Sequence, residues 1–185
     1  MVRNFTADLP APAALDRVLD AARRAPSAGN TAALDLLVLE GPTQTARYWA
    51  VTLPEPAGFR WQGLLRAPVL VLPLVRPEAY AERYAEPDKG RTGLADIGSW
   101  TVPYWWVDGG MAVQALLLAA VAEGLGACFF GQFAKEPEVL AAFGVPPGRR
   151  ALGTVALGHP APDEPGRSAG RPRRPLEQVV HRGQW

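Results

Sequence analysis

A single cysteine, Cys128, is present among 185 residues, so no disulfide can close within the chain. Its neighbours Ala127 and Phe129 mark it as a small buried hydrophobe, and a chain so poor in thiols suits a reducing compartment. Histidine is almost as scarce. His159 and His181 lie far apart with no ligand set around either, so no metal site is expected. Neither sign of charge is in excess: 19 Lys and Arg against 18 Asp and Glu leave a formal net charge of +1, which offers no footprint for a polyanion and argues against nucleic acid as a partner. No apolar run approaches the ~20 residues that span a bilayer, and MVRNFTADLP has neither an apolar signal core nor a transit-peptide pattern. The expectation is a cytoplasmic protein without a membrane partner. Gly124-Leu125-Gly126 lacks the third glycine and the acidic partner of a dinucleotide fingerprint, and no serine or cysteine sits in a nucleophile-elbow context. A Rossmann nicotinamide site and covalent hydrolysis are thereby disfavoured.

What remains is an ordinary globular composition, 48% hydrophobic and 20% charged, in a length that suits one domain over residues 1–185. Leu15, Val18, Leu19 and Ala22 recur at helical spacing, Pro12 suits a first turn, and Arg23 and Arg24 complement the carboxyl-end dipole, so a helix is expected from Pro12 to Arg24. The turn-forming APSAGN follows, and Leu36–Leu39 reads as a buried strand. A second strand is expected over Val69–Val75, pushed toward an edge or a strand end because Pro73 has no amide donor. Residues 76–106 lose periodicity and read as a lid or a partly ordered excursion carrying Trp100, Tyr104, Trp105 and Trp106. Asp108 is placed to cap a helix that runs to about Glu123 and stops at Gly124. That helix is apolar on nearly every face, which assigns it to a core or a large subunit interface. A strand at Ala127–Phe130, a short helix from Pro137 to Phe143 and a strand over Leu152–Leu157 complete the pattern. From Pro160 onward the chain is rich in proline and glycine, carries Arg167, Arg171, Arg173, Arg174 and Arg182, and reads as an extended wrapping tail. No internal repeat is present.

Four segments carry a resemblance. An opening Arg3-Asn4-Phe5, the run Ala25-Pro26-Ser27-Ala28-Gly29-Asn30 after the first helix, a long apolar helix ending in EGLGA with FFGQF behind it (Phe129 to Phe133), and a closing Arg171 to Leu176 stand in the order found in nitroreductase-like flavoproteins, which the chain resembles over nearly its whole length. The resemblance implies an α+β fold, a three-layer α/β/α sandwich with a mixed central sheet, in an intertwined homodimer whose residues 160–185 wrap onto the partner. It also implies FMN held between two subunits, reduced by NAD(P)H and reoxidised by a nitroaromatic, quinone or similar electron-poor molecule in a ping-pong cycle.

Residue by residue, the resemblance gives the phosphate to Arg171 and Arg173, whose planar guanidinium groups suit bidentate, charge-assisted bonds. Arg3 falls nearest the N1–C2 carbonyl edge, where positive charge stabilises reduced flavin. Pro26, Ser27, Ala28 and Asn30 form the short polar loop against the cofactor, with Gly29 permitting close backbone approach. The backbone of Gly131, with Gln132 beside it, orients flavin N5, and no side chain is required as acid or base. Trp100, Tyr104 and Trp105 would form a substrate platform; as an aromatic group they suit a core or an interface equally. Likewise, PSAGN has an ordinary turn reading and the tail arginines a solvated one.

The pattern departs from the family in two places. Asn30-Thr31-Ala32-Ala33-Leu34 stands where N-x-Q-P-W is usual, and the Arg-x-Ser that often precedes R-x-F is not in this sequence. No lysine or asparagine matches the family's mid-chain flavin contacts, for which Arg60 is a candidate substitute. A specialised flavin oxidase or dehydrogenase of a metabolite or peptide, and a flavin-binding protein without turnover, are the alternatives these departures leave.

Overall fold

The computed structural model describes residues 1–132, 135–166 and 168–185. Phe133 of the FFGQF segment and Arg167 of the tail lie outside the described residues.

Among the described residues, five α-helices flank one five-stranded sheet: α1 (Pro12–Arg23), β1 (Leu34–Glu40), α2 (Gly41–Thr52), β2 (Val69–Val75), α3 (Glu78–Tyr84), α4 (Tyr104–Ala122), β3 (Gly126–Phe130), α5 (Glu136–Ala142), β4 (Arg150–Ala151) and β5 (Thr154–Gly158). Strand order is β1-β2-β5-β3, with the short β4 also on β2. The expected α/β/α layering is present, but the sheet differs from a mixed one, since every pairing among the described residues is antiparallel. The directions explain this. Each connection, β1 to β2 through α2 and β3 to β5 through α5, reverses the chain, so neighbours in the sheet alternate.

The core follows from period-two alternation along strands buried on both faces. Val69 and Val71 of β2, with Val155 and Leu157 of β5, pack against α1 and α4 through Leu15, Val18, Ala22, Val113 and Leu116. Leu70, Leu72 and Leu74 point the other way and meet Tyr48 of α2, Val139 of α5 and Phe5. Each such side chain contributes ~1.5–3 kcal/mol when fully buried.

Pro73 stands inside the central β2 rather than at an edge, opposite Leu36 of β1. Its carbonyl accepts from Leu152 N at 3.0 Å, on the side where β5, paired to Val69–Val71, gives way to β4, paired to Leu74 and Val75. The missing donor thus falls at a break in the ladder, where it costs little.

Helix α1 begins as expected on Pro12 and buries Leu15, Val18 and Ala22. Its Arg17 reaches the end of α4, with Nε and Nη2 donating to the two Glu123 oxygens at 2.7 and 2.6 Å, and this fork holds the Glu123 carboxyl below the usual carboxylate range. Helix α2 was not expected. It starts directly on Gly41-Pro42, a pair that reads as a turn, and it buries only Thr45 and Tyr48, too few for a periodic signal. Two further corrections concern the long middle segment. Residues 76–106 contain α3, and α4 starts at Tyr104, a full turn before Asp108. Asp108 is therefore a buried residue inside the helix, not its cap.

Helix α4 is 19 residues long with mean hydropathy 1.4, closer to a spanning length than the sequence reading allowed. Packing places it in the fold: Ala112, Val113, Leu116 and Ala120 belong to the core on one face of the sheet. Gly109 lets the helix come close, because a Cβ there would meet Leu152 Cδ2 at 2.5 Å and Val75 Cγ1 at 3.0 Å. Its opposite side exposes Tyr104, Val107, Met111, Leu118 and Val121, an apolar stripe at helical spacing.

Candidate functional site

The loop after α1 is built around left-handed backbone. Gly29, Asn30 and Ala32 have φ of 65°, 54° and 50°. Non-glycine residues in that region cost on the order of 1–3 kcal/mol and persist only where their surroundings over-determine them, although asparagine tolerates it better than most. The surroundings here do so. Ser27 Oγ accepts from Ala32 N at 3.0 Å, Ala28 N donates to Asp108 Oδ2 at 2.8 Å, and Gly29 O accepts from Arg83 Nε at 2.8 Å. A side chain at Gly29 would strike Tyr84, since a Cβ would lie 2.8 Å from Cε2. Tyr80 OH donates to the same Asp108 oxygen at 2.7 Å, and burial, then Asp108, pushes the phenol above its ordinary pKa. Pro26, Ser27, Ala32, Tyr80 and Asp108 line a small cavity of about 130 Å³.

The aromatic group gathers on the same side of the molecule. Trp100 is its hub, with ring centroids 4.9 Å from Tyr84, 5.7 Å from Tyr80, 5.8 Å from Tyr104 and 6.4 Å from Trp105. The Trp100 indole N–H donates to Leu94 O at 2.8 Å, which orders the approach to α4. Through Tyr84 against Gly29, and Tyr80 on Asp108, these rings back onto the 26–30 loop.

A second cluster forms where the N-terminal segment crosses the end of β3. Val2 N donates to Ala127 O at 3.0 Å, and the start of the tail is tied alongside: Ala161 N donates to Asn4 O at 2.9 Å and Arg3 N to Asp163 Oδ2 at 2.6 Å. Arg3, Gly131 and Gln132 share a cavity of about 380 Å³ with Tyr48, Trp49, Phe59, Trp61 and Cys128. The Arg3 and Arg60 guanidinium groups lie over the Trp61 ring at 5.1 and 4.7 Å. Gln132 is buried, with Nε2 donating to Thr154 Oγ1 at 3.0 Å, and that oxygen pairs with Tyr48 OH at 2.7 Å. Burial raises both the Tyr48 phenol and the Cys128 thiol above their ordinary values, so both stay neutral at physiological pH. Trp49 Nε1 and Gln132 Oε1, on two residues that line this cavity, are buried and have no partner among the described residues.

The expected site residues thus fall into two built clusters and a tail. Pro26 and Ser27 line one cavity, Ala28 is tied to its wall through Asp108, and Trp100, Tyr104 and Trp105 back onto this loop through Tyr80 and Tyr84; Arg3, Gly131 and Gln132 come together separately, in a cavity lined by none of these. Arg171 and Arg173 are exposed on the tail. Sequence reasoning missed Trp49, Phe59 and Trp61 as cavity walls. Trp61 carried a signal in its neighbour Arg60; Trp49 carried none, because α2 was not recognised.

The geometry has counterparts among known proteins. The NfrA2 structure from B. megaterium matches with TM-score 0.73 at 20% identity, covering 100% of this chain and 70% of that one. A protein assigned as a nitroreductase, in complex with FMN, from Desulfovibrio desulfuricans matches with TM-score 0.68 at 25% identity over 97% of this chain and 88% of that one. The NADPH:FMN oxidoreductase of Vibrio harveyi in complex with NAD+ matches with TM-score 0.69 at 22% identity, covering 100% and 73%. A curated relative, a 15.4 kDa protein from the ask 5′ region of Mycolicibacterium smegmatis, is 40% identical over 92 residues, which are 46% of this chain and span 61% of that relative's length. The model of the Nitroreductase family matches residues 1–159, and the chain belongs to that family.

Proposed function

We propose that this protein is an FMN-dependent oxidoreductase that works as a homodimer, takes electrons from NAD(P)H and passes them to nitroaromatic, quinone or similar electron-poor small molecules by a ping-pong cycle. The observation that carries the reading is the cavity around Arg3. Its volume of about 380 Å³ falls within the ~300–1,000 Å³ usual for ligand sites, its walls are largely aromatic, and Arg3 is among its lining residues. A planar heteroaromatic ring with an electron-rich edge fits aromatic walls beside a cation. The NADPH:FMN oxidoreductase of Vibrio harveyi and the FMN-bound protein of Desulfovibrio desulfuricans share the fold and add support.

Bound flavin would supply reversible two-electron chemistry at N5, the step no side chain here performs. The chain's own contribution is to bind and tune. Arg3 supplies positive charge at a carbonyl edge, Gly131 its backbone N–H, and Arg171 and Arg173 a forked grip on the phosphate. The strained 26–30 loop, held by Asp108, and the Trp100, Tyr104 and Trp105 rings complete the second wall from the other subunit, because within one chain they lie apart from the Arg3 cavity. The exposed apolar stripe of α4 is the surface suited to that association. A cytoplasmic location agrees with the lone, buried thiol.

Absorbance of the purified protein tests the reading directly. A flavin spectrum bleached by NADPH without oxygen is the expected result. A yellow protein indifferent to both nicotinamides would instead favour the specialised oxidase or a binding protein without turnover, and failure to take up FMN would end the proposal.

A further inference from the structure

One side chain of α3 grips the strained loop after α1 at its left-handed turn. Arg83 donates from Nε to Gly29 O at 2.8 Å, the carbonyl of the peptide that joins Gly29 to Asn30, both of which have positive φ. Its Nη1 and Nη2 donate to the two Asp88 oxygens at 2.7 Å each. Because the guanidinium is planar, fixing one edge on Asp88 fixes the direction of Nε as well. Only 20% of the Arg83 side chain is exposed, and Tyr84 beside it closes on Gly29. Within the loop, Asn30 N donates to Ser27 O at 2.9 Å and Thr31 N to Ala28 O at 3.2 Å, while the Asn30 residue itself is exposed.

We infer that Arg83 is a positioning residue of the flavin site, holding residues 27–32 in the shape that the cofactor meets. The inference rests on the flavin reading above, in which this loop walls the cofactor, and adds to it the residue that sets the wall's shape. Left-handed backbone is disfavoured at Asn30 and Ala32, so a loop released from Arg83 redistributes toward other conformers. A ligand then binds only the fraction that keeps the required shape, and its apparent affinity falls in proportion. The two partners of the ion pair have separable parts in this. The bond to Gly29 comes from Arg83, whereas Asp88 only orients the guanidinium, is 58% exposed, and leaves Glu86 Oε2 at 3.1 Å from Nη1 to keep that orientation when its own charge is removed.

Titration of the apoproteins with FMN, followed by flavin fluorescence, and hydrogen exchange at the amides of Ala28, Asn30, Thr31 and Ala32 test the inference without recourse to activity. Arg83→Met is expected to weaken FMN binding about tenfold, the equivalent of one charge-assisted hydrogen bond, and to speed exchange at those amides. Asp88→Asn breaks the same ion pair yet should bind FMN within about twofold of wild type, since a surface pair contributes little by itself. A role confined to the ion pair would move both variants alike, and that result would overturn the inference. Arg83→Lys keeps the charge but not the fork, and should regain at most part of the affinity; full affinity with lysine would show that charge suffices and placement does not matter. Wild-type affinity or unchanged loop exchange in Arg83→Met would sink the inference while leaving the flavin reading in place. If the wild type takes up no FMN, the inference and the reading beneath it fail together.

Discussion

The hydroxyl of Tyr80 donates to a carboxylate oxygen of Asp108 at 2.7 Å, and the amide of Ala28 donates to that same oxygen at 2.8 Å. One buried acceptor therefore ties α3, α4 and the strained loop after α1 into a single unit.

Removing the hydroxyl tests that arrangement. Tyr80→Phe leaves a buried carboxylate with one donor fewer, a loss of about 1.5–3 kcal/mol for a bond to a charged group. For a chain of this size each kcal/mol lowers the melting temperature by roughly 2–4 °C. Asp108→Asn retains an acceptor and should cost less than Asp108→Ala, which leaves both donors without one. Urea unfolding of the three variants checks the order, and a Tyr80→Phe midpoint equal to wild type would contradict it. The raised phenol pKa sets the sign with pH. This contribution is fully present below the ordinary tyrosine value and is lost as pH rises through the higher folded value.

The sequence announced what local chemistry can announce. Pro12 with its apolar spacing marked α1, the unbroken run Val69–Val75 marked a strand buried on both faces, and APSAGN marked the loop that does adopt left-handed backbone. Roles set by distant partners stayed hidden. Asp108 looks like a cap because it precedes an apolar run, yet it is fixed by Tyr80 and Ala28, which lie 28 and 80 residues away. Pro73 looks like an edge residue because nothing nearby shows that the ladder breaks at Leu152. Trp49 became visible only once α2 brought it against Phe130. The Arg3 cluster could be anticipated residue by residue from the family pattern, but its aromatic walls could not.

Glu136, at the start of α5, gives a second test with the opposite pH sign. Its carboxylate accepts from Arg150 Nε at 2.9 Å, Arg150 Nη2 at 3.1 Å and Ala151 N at 2.8 Å, and Arg150 foremost holds its pKa below the usual glutamate value. Stability from a depressed carboxyl is present above the ordinary glutamate pKa and lost as pH falls through the folded one. The Arg150 side chain is 56% exposed, so screening limits the effect to about 1 kcal/mol. Glu136→Gln should be less stable than wild type at pH 7 and converge with it in acid. Parallel stability curves for the two proteins from pH 7 to pH 3 would show that the ion pair contributes nothing.

The tail arginines carry the proposed phosphate grip. Arg171→Ala and Arg173→Ala should each weaken FMN binding by at least about tenfold, since each removes a charge-assisted contact of ~1.5–3 kcal/mol. Both side chains are exposed in the single chain, so the apoproteins should melt as wild type does. Unchanged flavin titrations in both variants would return these residues to solvent.

The outer face of α4 decides whether the two clusters meet. Leu118 and Val121 are 61% and 70% exposed on a helix whose other side is core, and Val107 and Met111 extend the same stripe. An apolar stripe of this kind, interrupted only by the exposed Gln114, is seldom left to water, and a self-complementary stripe is what a two-fold dimer buries. A charge near its carboxyl end should separate the subunits without disturbing the core, because neither Leu118 nor Val121 is buried in its own chain. The wild type is expected to sediment as a dimer and Val121→Asp as a monomer with near-native circular dichroism. If the Arg3 cavity takes its opposite wall from the partner's 26–30 loop, that monomer should lose FMN as well, at protein concentrations where the wild type keeps it. A monomeric Val121→Asp that retains full FMN affinity would place the whole flavin site within one chain, and a variant that remains dimeric would move the interface away from α4.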